Sequence, residues 1–388
     1  MKTLIDTNIL LDDPDVLMQC SKAVICLPVL EELDRLKISH NNDVAYKARE
    51  AIRKLKESHI ELDIDEIDLE KTDNRILNYA LRHGYRLLTN DLNLQLKAKA
   101  VGVEVENYIP QIENYTGYKE VVFSDEELAS WYEGNKNNNW GLVDNQYLII
   151  KYEDVYINTW KYIDGEFKEV FDKSIDSKMF GKIKPLDPFQ KCAIDSLYTN
   201  QVTVVKGKAG SGKSLLSLAY AMSEIERGNY ERLIIFTNPV SVLNSARLGF
   251  YPGDKNEKLL SSNVGNMLSS KFGDKLAVEM LINHNKLMLL PFSDIRGFDT
   301  SGMKAIVYIT EAQNLDVNLM KIAAQRVGME CKFIVDGDNE AQVDLEVFYG
   351  KRNGMRRLSE AFRGHDFYGE VELKHIHRSK IAELADKM

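Results

Sequence analysis

Eight consecutive residues could hold a triphosphate. Gly207-Lys208-Ala209-Gly210-Ser211-Gly212-Lys213-Ser214 fits the pattern G-x-x-x-x-G-K-[ST] in full. Its glycines let backbone N–H groups close around phosphates without Cβ clash. The apolar run Val202 to Val205 precedes the loop, and Leu215 to Met222 follows as a helix. A helix N-terminus there adds positive potential. Lys213 is then placed to reach the β- and γ-phosphates of ATP, and Ser214 to ligate Mg²⁺. Upstream, Gln190 could read an adenine edge and Phe189 stack on its face. Downstream, Ala305 to Ile309 runs into Thr310-Glu311, which puts Glu311 where a water needs orienting or deprotonating. Phe333 to Val335 ends in Asp336-Gly337-Asp338, with Gln342 and Asp344 beyond. Polar residues at the C-terminal ends of such strands line a ligand crevice.

A second set of residues is acidic. Asp6 ends the first strand, Glu31 and Glu32 lie on the helix after Pro28, Asp73 starts another helix, and Asp91 follows the strand Tyr85 to Thr89. Carboxylates at strand ends and helix starts can converge on one edge of a parallel sheet. Three or four together are costly unless a hard cation neutralises them. Mg²⁺ or Mn²⁺ held in this way can activate water and stabilise the leaving oxygen of a phosphodiester. Each acid taken singly reads as a cap or a solvated surface group; the joint pattern carries the inference.

The elements that must position these residues fall into three regimes. Residues 1–112 alternate short apolar runs (Thr3-Leu4-Ile5, Val24 to Leu27, Tyr85 to Thr89) with amphipathic helices. Pro28 opens one helix, Ala45, Ala48, Ile52 and Leu55 mark a second, and Gly84 stops a third. Residues 113–183 hold turn material around Asn135 to Gly141 and β-prone runs on either side of Asp164-Gly165, a hairpin signal. Residues 184–388 return to strand–helix alternation, with strands at Val202 to Val205, Leu233 to Thr237, Leu287 to Leu290, Ala305 to Ile309 and Phe333 to Val335. His375 and His377 alternate on a strand-like run near the end. The expected fold class is α/β: a Rossmann-like N-terminal domain, a small β-rich module and a doubly wound C-terminal domain.

Composition narrows the partners. The chain has 388 residues, 44% hydrophobic and 28% charged, enough apolar material for more than one core without disulfide staples. Its apolar runs are far shorter than a membrane span of about 18 residues. Asp6 interrupts any signal-peptide core, and the four cysteines (Cys20, Cys26, Cys192, Cys331) match no zinc spacing. A cytoplasmic protein with reduced thiols is expected. The formal charge of −9 repels nucleic acid at long range. RNA contact therefore needs basic residues gathered locally, or metal in the site. Lys47, Arg49, Arg53, Lys54 and Lys56 surround the apolar stripe of one helix, as either a solvated face or an RNA-backbone patch.

The stretch from Asp187 onward resembles a PhoH-type P-loop ATPase. The matching pieces are Phe189-Gln190, the Gly207–Ser214 loop, Leu248 to Asp254, Ile295-Arg296-Gly297, Glu311 to Asn314, Gln325 to Gly328, Gly337-Asp338, Gln342 to Asp344 and His377-Arg378-Ser379. The resemblance implies ATP hydrolysis in a homo-oligomeric ring, expected as a hexamer, with an arginine reaching a neighbour's nucleotide. Arg326 and Arg378 sit in matching motifs. Lys182, Lys184, Arg352, Arg356 and Arg357 are candidates to line its channel. The family carries Asp directly before Glu-Ala-Gln-Asn, whereas this chain has Thr310. A hydroxyl cannot hold a Mg²⁺ hydration shell as a carboxylate does. Either Asp336 or Asp338 substitutes, or hydrolysis is weak; slow but retained turnover is expected, because Lys213, Ser214 and Glu311 are present.

Residues 1–112 resemble a PIN ribonuclease domain through Leu4 to Asn8, Glu31 to Asp34, Asp73 to Leu77 and Leu88 to Leu94. Carried over by position, Asp6, Glu32, Asp73 and Asp91 bind the metal, and Asn93 stands where some members have a further acid. The resemblance implies cleavage of single-stranded RNA. The expected whole is an ATP-driven RNA-processing machine with no membrane partner. The alternative is a nucleotide-gated RNA-binding ring with weak or absent hydrolysis and cleavage.

Overall fold

The computed structural model describes residues 1–20, 22–58, 60–63, 71–108, 115–237, 263–338 and 353–377. Its packing divides into two compact units, Met1–Glu113 and Asn114–Met388.

The first unit is a five-stranded parallel sheet. Its strands are β1 (Thr3–Ile5), β2 (Ala23–Cys26), β3 (Glu61–Asp63), β4 (Arg86–Leu88) and β5 (Val105–Glu106), in the order β3-β2-β1-β4-β5. Helices α1 (Thr7–Asp12), α2 (Val16–Gln19), α3 (Leu27–Leu36), α4 (Asn42–Glu57), α5 (Thr72–His83) and α6 (Leu92–Ala100) make the connections. Leu4, Ile5, Val24, Ile25 and Leu87 are fully buried, as expected for strands covered on both faces. Pro28 occupies the first turn of α3, where an N–H would be unsatisfied anyway, and α5 stops at Gly84 with φ +65°. Strand order changes direction between β1 and β4, so a crevice opens at their C-terminal ends. Asp6 follows β1 and Asp91 caps α6 just after β4.

The second unit is built on a six-stranded parallel sheet. It uses β12 (Val202–Gly207), β13 (Arg232–Thr237), β14 (Leu287–Pro291), β15 (Ala305–Ile309), β16 (Lys332–Gly337) and β17 (Tyr368–Leu373), in the order β14-β13-β15-β16-β12-β17. Helices α8 (Pro188–Thr199), α9 (Lys213–Glu226), α10 (Asn263–Phe272) and α11 (Lys275–Asn283) pack on one face. On the other lie α12 (Val317–Gln325) and α13 (Gly354–Phe362). Side chains alternate between the two cores: Ile306, Tyr308 and Ile334 face α9, while Val307, Ile309 and Val335 face α12 and α13. β17 was not expected from the sequence. The two histidines thought to continue a strand, His375 and His377, lie beyond its end.

Ahead of this sheet, β6 (Tyr118–Val122), β7 (Tyr147–Tyr152), β8 (Val155–Ile163) and β9 (Glu166–Glu169) form a mixed four-stranded sheet, accompanied by α7 (Asp125–Tyr132). The β8–β9 turn has Asp164 and Gly165 both at positive φ, 53° and 80°, as a two-residue hairpin loop demands. The short hairpin β10 (Ile175–Ser177) and β11 (Gly181–Ile183) follows. Tyr147 and Ile149 belong to the same core as α8 and α9, whereas Leu148 and Ile150 pack with Trp131 and Trp160. No helix among the described residues is long and apolar enough to cross a membrane.

Candidate active sites

The phosphate loop joins β12 to α9. Gly207, Gly210 and Gly212 have φ of 145°, 87° and 101°, values that only glycine takes without strain. A Cβ on Gly207 would lie 2.7 Å from the Leu373 carbonyl oxygen and 2.9 Å from Ser211 Oγ. The loop is thus a cradle that side chains would fill. The Lys213 ammonium donates to the carbonyls of Gly207 and Lys208. Ser211 Oγ is buried with no hydrogen-bond partner. Lys208, Ala209 and Gly210 stay at least partly exposed, and Ser214 stands in the first turn of a fourteen-residue helix. Backbone donors, a lysine and a helix N-terminus fit a polyphosphate.

Two clasps hold the loop from behind. The Gln190 side-chain amide donates to the Ser211 carbonyl at 3.3 Å and accepts from the Leu186 N–H at 3.0 Å. Asp187 caps α8 through Gln190 N–H at 2.7 Å, and its other oxygen meets His377 Nε2 at 2.8 Å. The His377 N–H in turn donates to the Gly210 carbonyl at 3.2 Å. This corrects the expectation of a base-reading pair. Phe189 is 0% exposed, with the rings of Tyr118, Tyr156 and His375 packed around it, so it offers no face to a nucleobase. Gln190 engages both ends of its amide within this unit and braces the loop. The role of His377 was missed; only the fold brings residue 377 to residue 187.

Opposite the loop, β15 ends in buried Thr310 and exposed Glu311. Glu311 has φ +55°, an unusual conformation for a glutamate. Its carboxylate accepts from Gln313 Nε2 at 2.6 Å. Gln313 Oε1 accepts from the Asp338 N–H at 3.0 Å, and Asn353 donates to the Gln313 carbonyl at 2.9 Å. Asp336, at the end of β16, accepts from the Tyr308 hydroxyl at 2.5 Å. Burial pushes its carboxyl above the usual range. The Tyr308 hydroxyl and the Lys213 ammonium pull it back, and Glu311 pushes it further up. Asp336, Glu311 and Lys213 therefore lie within electrostatic reach of one another, with Ser214 next to Lys213 at the start of α9. Arg326 ends α12, with its Nε buried and unpartnered. Gln342 and Arg378 lie outside the described residues, as do Asp344 and Arg352.

At the N-terminal crevice, Asp6 is nearly buried. It accepts from Thr7 N–H at 2.7 Å and from the Thr89 hydroxyl at 2.6 Å. Thr7 donates to Glu32 at 2.8 Å, and Thr89 Oγ1 accepts from the Asp91 N–H at 3.1 Å and from the Asn8 amide at 3.3 Å. The two threonines thus wire Asp6 to Glu32 and Asp91; sequence reading had passed over them. The Asp6 carboxyl is pushed up to about 6, chiefly by burial and further by Glu32 and Asp73, against the hydrogen bonds from Thr89 and Thr7. Asp73 faces Lys97 at 3.6 Å, and Glu32 meets Arg35 at 3.1 Å. Asp91 Oδ1 accepts from the Leu94 N–H at 2.9 Å as a helix cap. Glu31 turns away to Arg75 at 2.5 Å.

The expected four-acid cage is therefore narrower and looser than the sequence suggested. Among the described residues, no group of three or more His, Cys, Asp or Glu side chains is gathered closely enough to hold a metal ion. The donor chemistry still suits a hard cation: carboxylates around a crevice, with Asn8 Oδ1 buried and unpartnered beside them. The basic helix α4 is partly neutralised, with Lys47 on Asp12 and Lys54 on Asp15, both at 3.1 Å.

Fold and sites define a P-loop NTPase-type domain preceded by an α/β domain with an acidic crevice. Residues 182–388 match the PhoH-like protein family, and residues 3–109 match the PIN domain. The chain belongs to the PhoH-like family and carries a PIN domain ahead of it. It is 28% identical over 439 residues to Protein PhoH2 of Bacillus subtilis, with 98% of each chain covered. It is 26% identical over 435 residues to Protein PhoH2 of Thermobispora bispora, covering 99% of this chain and 95% of that one. Protein PhoH2 of Mycolicibacterium smegmatis is 23% identical over 436 residues, with 99% and 96% covered.

Proposed function

We propose that this chain hydrolyses ATP at the Gly207–Ser214 loop to move RNA, and cleaves single-stranded RNA at the Asp6 crevice. The observation that carries the reading is the convergence of Lys213, Ser214, Asp336 and Glu311 around a loop shaped for phosphates. Lys213 would leave the Gly207 and Lys208 carbonyls for the β- and γ-phosphates, while loop N–H groups bind the bridging oxygens. Glu311, exposed and steadied by Gln313, would orient the attacking water. An arginine from a neighbouring copy, Arg326 or Arg378, would meet the charge developing on the transferred phosphoryl group. This requires a homo-oligomer, taken as a hexameric ring.

At the crevice, Asp6, Glu32, Asp73 and Asp91 would hold Mg²⁺ or Mn²⁺. Such an ion supplies an activated water and stabilises the leaving oxygen. Glu32 and Asp73 have side chains 22% and 47% exposed and so have room to swing toward Asp6. Thr7 and Thr89 fix the Asp6 carboxylate while they do so.

The test measures both activities on the full chain. Asp6→Asn should abolish cleavage of labelled single-stranded RNA in Mn²⁺ and leave phosphate release intact. Lys213→Ala should do the reverse on unstructured RNA. Cleavage unchanged in Asp6→Asn would exclude this nuclease site. The second reading, a nucleotide-gated RNA-binding ring, is favoured by the neutral Thr310. Nucleotide-dependent RNA affinity without phosphate release would select it.

A further inference from the structure

Thr310 stands where a metal-binding carboxylate is expected, yet a carboxylate is present beside it. β15 and β16 run parallel with Ile309 opposite Val335, which puts Thr310 and Asp336 side by side one step further along. β16 also pairs with the loop strand β12, Val205 lying opposite Asp336. Alternation sends Tyr308 and Asp336 to the α9 side of the sheet, the side from which the phosphate loop enters its helix. Asp336 is 1% exposed, and among the described residues no lysine or arginine forms an ion pair with it. A buried carboxylate steadied by the Lys213 ammonium without a direct ion pair is expensive to keep. Its hydrogen bonds come from the Tyr308 hydroxyl at 2.5 Å and the Glu311 N–H at 3.4 Å. The Tyr308 hydroxyl also lies near Ser214. Ser214 and Asp336 thus lie on either side of one tyrosine hydroxyl. Asp338, past the end of β16, is held by its backbone to Gln313 instead.

We propose that Asp336 holds the Mg²⁺ of the bound nucleotide together with Ser214, the carboxylate having moved across the β15–β16 pair from the position of Thr310. The proposal rests on the nucleotide-site reading above. It makes a specific claim about pairs: one carboxylate on either strand suffices, two repel each other, and none leaves the cation without its acidic partner.

The experiment measures affinity for a fluorescent, non-hydrolysable ATP analogue in Mg²⁺ and in EDTA. Four full-length proteins are compared: wild type, Asp336→Thr, Thr310→Asp, and the Thr310→Asp/Asp336→Thr double variant. Asp336→Asn serves as the isosteric control, with melting curves on all. Wild type should bind more tightly in Mg²⁺. Asp336→Thr and Asp336→Asn should lose about 10-fold or more of that preference, the usual effect of removing a residue that supports a metal. The double variant should regain most of it, and Thr310→Asp alone should fall below wild type. A preference retained in Asp336→Asn, or a folded double variant with none restored, would overturn the assignment while leaving the nucleotide site standing. Wild-type binding indifferent to Mg²⁺ would remove the metal-dependent site itself, and this inference with it.

Discussion

Asp6 shows what a single residue costs and offers. Its carboxyl is held at about 6 in the folded protein, mainly by burial. The unfolded chain ionises it near the ordinary value of about 3.9. Between roughly pH 4 and 6 the native state keeps a proton that the unfolded chain has released, so stability falls as pH rises through that window. The loss is on the order of 3 kcal/mol, about two units at 1.36 kcal/mol each. In EDTA, the melting temperature of Asp6→Asn minus that of wild type should therefore climb from pH 4 to pH 7. A difference that stays flat would mean that Asp6 ionises as if in water. Above pH 6, Mn²⁺ should raise the wild-type melting temperature and leave Asp6→Asn unmoved. The place of Asp6 at the crevice was legible from its position directly after a buried strand, although taken singly it reads equally as the helix cap that it also is. The threonine wiring was not: Thr7 and Thr89 are common residues, and only the β1–β4 pairing brings Thr89 to Asp6, as the β1–β2 pairing and the helix after β2 bring Glu32 to Thr7. Phe189 failed for a related reason, since an aromatic ahead of a helix carries no mark of which rings will cover it.

Elements were legible where their pattern is local. The loop strand, the helix after it and the Asp164-Gly165 hairpin follow from apolar runs, glycines and turn chemistry within a few residues. β17 escaped because its run is broken by Gly369, Glu370 and Glu372, which read as solvent-facing residues. In the fold Glu370 is buried against Lys206, with Ser359 and Tyr368 hydroxyls on the same carboxylate. Long-range pairing makes an acid acceptable in a buried position. The same strand anchors the mixed sheet. The Glu372 N–H donates to the Thr116 carbonyl at 2.9 Å, and Gly117 follows at φ +80° with the Glu370 carbonyl against its Cα. A Cβ there would lie 1.6 Å from that oxygen, backbone against backbone. Gly117→Ala should lower the urea midpoint by an amount equivalent to about 3 kcal/mol or more, combining left-handed strain with displacement of β17. A change within roughly 0.5 kcal/mol would mean that the sheet is not seated through Gly117.

At the scale of the molecule, the proposed function gives one chain two pockets that would handle phosphate in opposite ways. On the proposed reading a glycine loop and a lysine would attract a triphosphate, while carboxylates in the other unit would need a cation before a phosphodiester could approach. Nothing in composition alone separates them, since a net charge of −9 is averaged over both. Their separation is visible in the two packing units, Met1–Glu113 and Asn114–Met388. If each unit only did its own chemistry, ATP would be irrelevant to cutting. If the ATPase delivers RNA, ATP should matter for substrates whose scissile segment lies inside a duplex and not for those already single-stranded. Wild-type protein should therefore cut a hairpin-embedded site faster with ATP than with a non-hydrolysable analogue. Lys213→Ala should cut that site at the analogue rate, while its rate on an unstructured strand matches wild type. An ATP effect of equal size on both RNAs would point to nucleotide-gated binding, and no effect on either would show two activities that merely share a chain.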